Sequence, residues 1–301
     1  MLLVASIPLW QTDQPTDPEA LELDRIVDPR NSLNDLTSTQ WIAETVSVFL
    51  QRGLGQNHKD ARIERQHPAP FSFQDVARLI CFFTKQGGKV LDPFCGVAST
   101  LKACAVTGRT GVGIELNPDY VKLGRERLET ELEGLDTANE QQVIIEGDAL
   151  HVVNSFDDQE FDFIVTSPPY WNILAKIDHK ARQERIAQNL DTDYGKDRRD
   201  LGNISSYDAF VSILASFFDK CARVLKDKRY MCVIVSDFRD KDRFVMFHAD
   251  LAKQLESRHY RLKGITVLYQ SRKKVFPYGY PFAYVPNIHH QYILILQKNG
   301  H

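Results

Sequence analysis

The sequence predicts a doubly wound α/β domain, with a mostly parallel sheet and an antiparallel pair of strands at one edge. From Ser72 to about Ser257, short apolar runs rich in β-branched residues alternate with amphipathic helical stretches. A glycine turn, Asp92-Pro93-Phe94-Cys95-Gly96, falls where a strand gives way to a helix. The last two strand-like runs are joined by loop alone, which suits an antiparallel pair and not a parallel crossover.

The elements follow in order. The opening MLLVASIPLW is apolar for only about ten residues and lacks a basic start and a small-residue cleavage pattern. It fits neither a signal peptide nor a membrane span, and reads as a strand or arm packed on the domain. Residues 11–35 are polar, acidic and proline-containing, hence loop or arm. A short amphipathic helix is expected over Ser38–Arg52, with Trp41, Val46 and Phe49 near one face. Ser72 is placed to cap a helix carrying Val76, Leu79, Ile80 and Phe83, which Gly87-Gly88 ends. Lys89–Leu91 reads as a strand, followed by the glycine turn and a helix to about Val106. Gly111–Leu116 is the next strand and Tyr120–Leu132 the next helix; Val143–Glu146 and Phe163–Thr166 are further strands. Asn172–Asp200 is long, charged and aperiodic, as functional loops often are. Ser206–Lys226 repeats Phe210, Ile213, Leu214, Phe217, Phe218, Cys221, Val224 and Leu225 at three and four, a strong amphipathic helix. Then come a strand Tyr230–Val235, a helix Phe247–Ser257, a strand Leu262–Tyr269, an aromatic and proline-rich loop, and a strand Gln291–Leu296.

Length and composition bound the rest. A chain of 301 residues holds one large α/β domain with a small appendage, or at most two domains. With 43% apolar and 26% charged residues it has the balance of a soluble globular protein. The five cysteines are odd in number and none sits in a CxxC spacing, which points to a reducing setting. The net charge of −3 carries no basic signature, yet Lys226 to Lys274 holds 13 Lys/Arg against 6 Asp/Glu, a local excess of +7. Such a basic face can hold a phosphate backbone; a solvated lysine-rich surface is the plainer alternative. No repeat, low-complexity tract or metal-ligand cluster is visible; His289-His290 are adjacent, point to opposite faces of a strand and suit packing better than metal binding.

Two motifs carry chemistry. In the first, Gly96 lets backbone approach a ligand and Ala98 keeps the turn small, while N–H groups at the helix start can meet a carboxylate. Glu115 ends the next strand, 23 residues beyond Asp92, where an acid can accept hydrogen bonds from ribose hydroxyls. Asp148 follows the third strand, placed to accept from an adenine amino group. In the second motif, Thr166-Ser167-Pro168-Pro169-Tyr170-Trp171 follows the apolar strand Phe163-Ile164-Val165. Two prolines fix φ and remove two N–H donors, so the backbone offers carbonyls without competing donors. With the Ser167 hydroxyl, these suit a substrate amino group, and Tyr170 can stack on a planar base.

With these residues in view, the chain resembles the amino-methylating DNA methyltransferases, which form N4-methylcytosine or N6-methyladenine, over about residues 67–297. His67-Pro68-Ala69-Pro70-Phe71 looks like the segment that helps hold the methionine end of the cofactor. Asp92-Pro93-Phe94-Cys95-Gly96, with Thr100 at the helix start, looks like the cofactor loop; Gly113-Ile114-Glu115-Leu116-Asn117 looks like the ribose-binding acid strand, and Asp148-Ala149 the adenine-binding acid. Ser167-Pro168-Pro169-Tyr170 is similar to the catalytic tetrad of the cytosine-N4 enzymes, whereas adenine-N6 enzymes usually begin it with Asp or Asn. Ala98 stands where the family usually has a second glycine, and the cofactor loop precedes the tetrad, an order that many cytosine-N4 relatives reverse.

The resemblance implies a Rossmann-like, class I methyltransferase fold, S-adenosyl-L-methionine as cofactor, and direct in-line methyl transfer to cytosine N4 in DNA, the base being flipped out. It implies residues 1–60 as an N-terminal arm and helix packed on the core, and 61–301 as the catalytic domain. From the basic stretch beside the aromatic one, segments 172–203 and 271–289 are candidate DNA-contacting loops, with Arg272, Lys273 and Lys274 on phosphate beside Phe276, Tyr278, Tyr280, Phe282 and Tyr284; an aromatic mini-core packed under the loop is the alternative. Adenine-N6 methylation, an RNA amine substrate, and a silent nucleic-acid-binding subunit stay open. Methylation at cytosine carbon 5 does not: the chain has no Pro-Cys pair to supply its nucleophile. A cognate restriction endonuclease is a partner the resemblance admits. Location would be cytoplasmic and nucleoid-associated in a bacterium, nuclear in a eukaryote, with no membrane involved.

Overall fold

The computed structural model describes residues 26–51, 63, 72–132, 141–171, 199–256, 259–271 and 273–300. The elements are α1 (Ser38–Glu44), β1 (Val48–Leu50), α2 (Phe73–Phe83), β2 (Lys89–Asp92), α3 (Ser99–Val106), β3 (Thr110–Glu115), α4 (Pro118–Glu131), β4 (Gln142–Glu146), α5 (Ala149–Val152) and β5 (Phe161–Thr166). They continue with α6 (Tyr207–Val224), β6 (Leu225–Val235), the hairpin β7 (Phe238–Asp240) and β8 (Arg243–Val245), α7 (Phe247–Leu255), β9 (Tyr260–Tyr269) and β10 (His290–Lys298).

Eight strands form one sheet in the order β4-β3-β2-β5-β6-β10-β9-β1. β2 pairs in parallel with β3 and β5, β3 with β4, and β5 with β6. β10 runs against both β6 and β9, so the antiparallel pair expected near one edge is present. β10 lies inside the sheet, so His290 sits on an interior strand and not at an edge. Strand order reverses between β2 and β5, and the crevice beyond their carboxyl ends is where open α/β sheets bind ligands.

Both faces of the sheet are covered, which is why its strands read as continuous apolar runs. Val90, Phe163, Val165, Cys232, Ile234 and Ile293 pack against Val76, Leu79, Ile80 and Phe83 of α2. On the other face, Leu91, Ile164, Met231, Val233 and Leu294 meet Phe210, Leu214, Phe217 and Phe218 of α6, with α7 beyond. The apolar stripe of α6 is the one its three-and-four spacing implies; Ser206 caps the helix by accepting from the Ala209 N–H.

Two local expectations are corrected. The helix expected over Ser38–Arg52 stops at Glu44, and Val48–Leu50 becomes β1, paired in parallel with Val267–Tyr269. Its β-branched and aromatic residues suit a strand, and Phe49 is buried there against the α2 face, so the apolar spacing fitted both structures. Ser72 stands at the N-cap of α2, but its hydroxyl makes no capping hydrogen bond. The five cysteines are free thiols, as expected.

Candidate active site

Asp92 ends β2, and Thr166 ends β5 beside it. Oδ1 of Asp92 accepts from the Thr166 hydroxyl at 2.6 Å and the Phe94 N–H at 3.1 Å; Oδ2 accepts from the Thr100 hydroxyl. One carboxylate therefore ties the end of β2, the first turn of α3 and the residue before the tetrad. Burial outweighs these three donors and pushes the Asp92 pKa up to about 6.

The loop after Asp92 lies across β3: the Cys95 N–H donates to the Ile114 carbonyl at 2.9 Å. Gly113 makes this crossing possible, since a Cβ there would fall 2.6 Å from Cys95 Sγ and 2.8 Å from a Leu101 methyl. Gly96 and Ala98 both take left-handed backbone, at φ 49° and 64°. Such backbone costs an alanine roughly 1–2 kcal/mol. The Ala98 methyl is fully buried among Cys95, Leu101 and Val121, and that burial offsets roughly 0.8 kcal/mol. The turn that a second glycine usually makes is thus made here by alanine. Beneath it, fully buried Arg127 donates to the Val97 carbonyl at 3.3 Å and the Ser99 hydroxyl at 2.8 Å. Its Nε pairs with Glu131 at 2.9 Å, and Glu131 also holds Lys102 at 2.6 Å.

Glu115, half-buried, accepts from the Gly96 N–H at 2.9 Å and the Asn117 N–H at 2.8 Å, one on each carboxylate oxygen. Burial pushes its pKa up to about 7. Asp148 caps α5 by accepting from the Leu150 N–H at 2.9 Å, and its second oxygen meets His151 Nδ1 at 2.9 Å. Ala149 is buried behind it, and Leu116 is half-buried beside Glu115. Pro93 is buried in the loop. The ring of Phe94 turns into the core against Phe217, with centroids 5.2 Å apart, so Phe94 serves the loop through its backbone.

The tetrad leaves β5 with Pro168 buried and Ser167, Pro169 and Tyr170 half-buried. The Tyr170 hydroxyl accepts from Gln291 Nε2 at 2.7 Å. Burial raises the phenol above its ordinary pKa. Trp171 anchors the exit: its indole N–H donates to the Ile204 carbonyl at 2.7 Å and its ring packs on Tyr207 and Phe238. Asp92 and the tetrad thus share one end of the sheet, joined through Thr166.

The set Asp92, Glu115 and Asp148 fits the expected cofactor by the chemistry of its donor groups. Three carboxyl groups stand at or just past the ends of adjacent strands β2, β3 and β4. Each Glu115 oxygen accepts a single backbone N–H and keeps acceptor capacity for ribose hydroxyls.

Lys273 and Lys274 are exposed in the loop between β9 and β10. Tyr280, Phe282 and Tyr284 are 81%, 93% and 90% exposed, so these rings are not a packed mini-core. The base of the loop is pinned by a two-way hydrogen-bond pair between Phe276 backbone and Asn287. Arg272 and His67, Pro68, Ala69, Pro70 and Phe71 lie outside the described residues, as does most of segment 172–203. Sequence reasoning placed Thr166 in the second motif without giving it a role, and missed Arg127 and Gln291. The signal for Thr166 is its place at the end of the tetrad's strand; Arg127 and Glu131 stand at i,i+4 on a helix, a spacing that by itself does not tell a buried pair from a surface one.

A family model for DNA methylases, covering the N6 and N4 amino-methylating types, matches residues 16–126 and 161–301. The chain belongs to the N6/N4 DNA methylase family. The cofactor of this family is S-adenosyl-L-methionine, and its fold is the Rossmann-like class I methyltransferase fold. Over 77 residues, 26% of this chain and 24% of the relative, it is 32% identical to the type II methyltransferase M.HpaI of Haemophilus parainfluenzae. It is 37% identical over 78 residues to the type II methyltransferase M.ScaI of Streptomyces caespitosus, 26% of each chain. The matched stretch thus spans about a quarter of the length of these relatives. Among solved structures, TrmN from Thermus thermophilus aligns with 75% of this chain and 48% of its own, at TM-score 0.46 and 16% identity. Among the described residues no helix is long and apolar enough to cross a membrane, and no group of three or more side chains is arranged to hold a metal ion.

Proposed function

We propose that the protein methylates the exocyclic N4 amine of cytosine in DNA. The reading rests on the hydrogen bond between Asp92 and Thr166, which locks the cofactor loop to the residue that precedes the tetrad. Glu115 would hold the ribose hydroxyls, Asp148 the adenine amino group, and residues 67–71 the methionine end. S-adenosyl-L-methionine, when bound, supplies an electrophilic methyl group. The chain's own contribution is to present the amine to it. Cytosine's amine is conjugated into its ring, so its lone pair is poorly available. Acceptors at the Ser167 hydroxyl and the Pro168 carbonyl favour a pyramidal nitrogen whose lone pair is free to react. Orientation of this kind is worth about 7–11 kcal/mol in well-placed systems.

Ser167 in the first tetrad position favours cytosine over adenine, because a serine replaces the Asp or Asn usual in adenine-N6 enzymes. Flipping the base costs a few kcal/mol. Segments 172–203 and 271–289, with Arg272, Lys273 and Lys274, are the proposed source of offsetting phosphate contacts, and residues 61–301 the catalytic body. The test is mass analysis of nucleosides from DNA methylated by the purified protein. N4-methylcytosine is expected; N6-methyladenine would overturn the cytosine assignment, and unmodified DNA would overturn the activity.

A further inference from the structure

The peptide that joins Val97 to Ala98 is held on both sides. Its N–H, on Ala98, donates to the Cys95 carbonyl at 2.9 Å and closes the turn that contains Gly96. Its carbonyl, on Val97, accepts from Arg127 Nη1 at 3.3 Å, and the same nitrogen donates to the Ser99 hydroxyl at 2.8 Å. Ala98 stands at φ 64°, a left-handed backbone that glycine adopts freely and alanine does not. Turning that one peptide plane over changes ψ of Val97 and φ of Ala98 together, and would return Ala98 to negative φ. It would also break both of the peptide's hydrogen bonds. Arg127 is fully buried on α4, and its Nε pairs with Glu131 at 2.9 Å. The same Glu131 oxygen holds Lys102 of α3 at 2.6 Å. Three residues before Arg127, α4 carries Gly124, where an added Cβ would lie 3.3 Å from the Ala98 Cβ and 2.9 Å from an Ile144 methyl. The helix thus comes close to the loop at a residue without a side chain, and grips it with a long one.

We propose that Arg127 is a positioning residue for the cofactor loop: it clamps the Val97–Ala98 peptide in the orientation that strained Ala98 would otherwise abandon. The inference rests on the reading above of this loop and Glu115 as the cofactor site. Gly96, inside the clamped turn, donates its N–H to Glu115, the proposed ribose acid, at 2.9 Å. A peptide turned over opens the turn that presents this N–H. Cofactor then meets a set loop in only a fraction of the molecules, and the apparent dissociation constant rises by the inverse of that fraction. A glycine at position 98 has no such preference, because it takes either sign of φ about equally readily. The clamp should therefore matter most while residue 98 is alanine. That coupling separates a positioning residue from one that only supports the fold, whose loss would be felt alike with either residue.

The test measures dissociation constants of S-adenosyl-L-methionine by calorimetry for Arg127→Met and Arg127→Lys, each in the wild-type chain and in an Ala98→Gly background. Arg127→Lys keeps a cation for Glu131 but loses the fork that serves Glu131, Val97 and Ser99 together, and it stands in if Arg127→Met does not fold. Each change should weaken binding about 10-fold in the wild-type chain and at most about 3-fold in the Ala98→Gly background. Folding in the Ala98→Gly background alone would support the proposal, being the same coupling read as stability. An equal loss of affinity in the two backgrounds, or no loss in either, would overturn it. So would failure of both variants to fold in both backgrounds, which would make Arg127 a support of the fold alone. If the wild-type chain binds no S-adenosyl-L-methionine, the cofactor reading fails instead, and hydrogen exchange judges the clamp by itself. The Ala98 N–H should exchange about 10-fold faster in Arg127→Lys than in wild type, because turning the peptide breaks its bond to Cys95. An unchanged exchange rate would also overturn the proposal.

Discussion

Ser167 and Glu115 divide the work of the site at the level of single residues. In the proposed reaction Ser167 supplies an acceptor to the amine; it follows Thr166, whose hydroxyl is bonded to Asp92 at the end of β2. Ser167→Ala should lower turnover about 10–100-fold, the cost of leaving one polar partner unpaired, with cofactor affinity unchanged. A turnover equal to wild type in a steady-state methylation assay would remove the hydroxyl from the reaction. Glu115 carries a pH signature. Its carboxyl is held protonated up to about pH 7 by burial, and only the ionised form offers both oxygens to hydroxyl donors. Cofactor affinity should therefore rise as the pH passes upward through about 7, and Glu115→Gln should bind more weakly with a flat profile. Calorimetry across that range decides it, and parallel profiles would refute the ribose role.

At the scale of elements, the cofactor loop depends on what β3 lacks. Gly111 and Gly113 face the same side: a Cβ at Gly113 would fall 2.6 Å from Cys95 Sγ in the loop, and one at Gly111 would fall 2.5 Å from Gln142 Oε1 and press on Cys104 of α3 at 3.2 Å. The strand is thereby a flat bed on which the helix N-terminus lies close, with Arg127 bonding the loop carbonyl from below. The loop between β9 and β10 has the opposite character: Tyr280, Phe282 and Tyr284 are exposed, as are Lys273 and Lys274. Exposed aromatic rings beside cations suit stacking on bases with phosphates alongside. Lys273→Ala combined with Lys274→Ala should reduce the slope of log affinity against log salt by about 2, one phosphate contact per lysine. A fluorescence titration of DNA at several salt concentrations measures it, and an identical slope would place the basic contact elsewhere.

For the whole molecule, the joint between its two functional halves is a buried carboxyl with a consequence for stability. Asp92 holds its proton up to about pH 6 in the folded chain, against an ordinary aspartate value of 3.8. Between those values the folded state binds more protons, so raising the pH favours unfolding. The stabilising contribution is full below about 3.8 and is lost as the pH rises through about 6. The melting temperature of wild type relative to Asp92→Asn should therefore fall across that window; parallel melting curves would show that Asp92 is ionised in the fold. The same carboxyl makes loop and tetrad one cooperative unit, since one oxygen is bonded to the end of β5 and the other to the first turn of α3.

Much of this was legible in the sequence, for a physical reason. Periodicity 2 and 3.6, glycine turns and proline pairs are local properties, and they located β2 to β5, α2 to α4 and α6 within a few residues, while β6 begins at Leu225, five residues before the strand expected from Tyr230. Asp92, Glu115, Asp148 and the Ser167–Tyr170 string were legible because strand ends are where such folds put chemistry. Val48–Leu50 was not, because an apolar spacing that fits a helix also fits a strand when a neighbour such as β9 offers a ladder to join. The sequence by itself determined the repertoire: which residues are acids, acceptors and stacking rings, and which local turns carry them. Only the tertiary structure decided their connections. Pairing in a sheet brings together residues 74 and 121 positions apart, as in Asp92 with Thr166 and Tyr170 with Gln291, and such contacts leave no local periodicity to read.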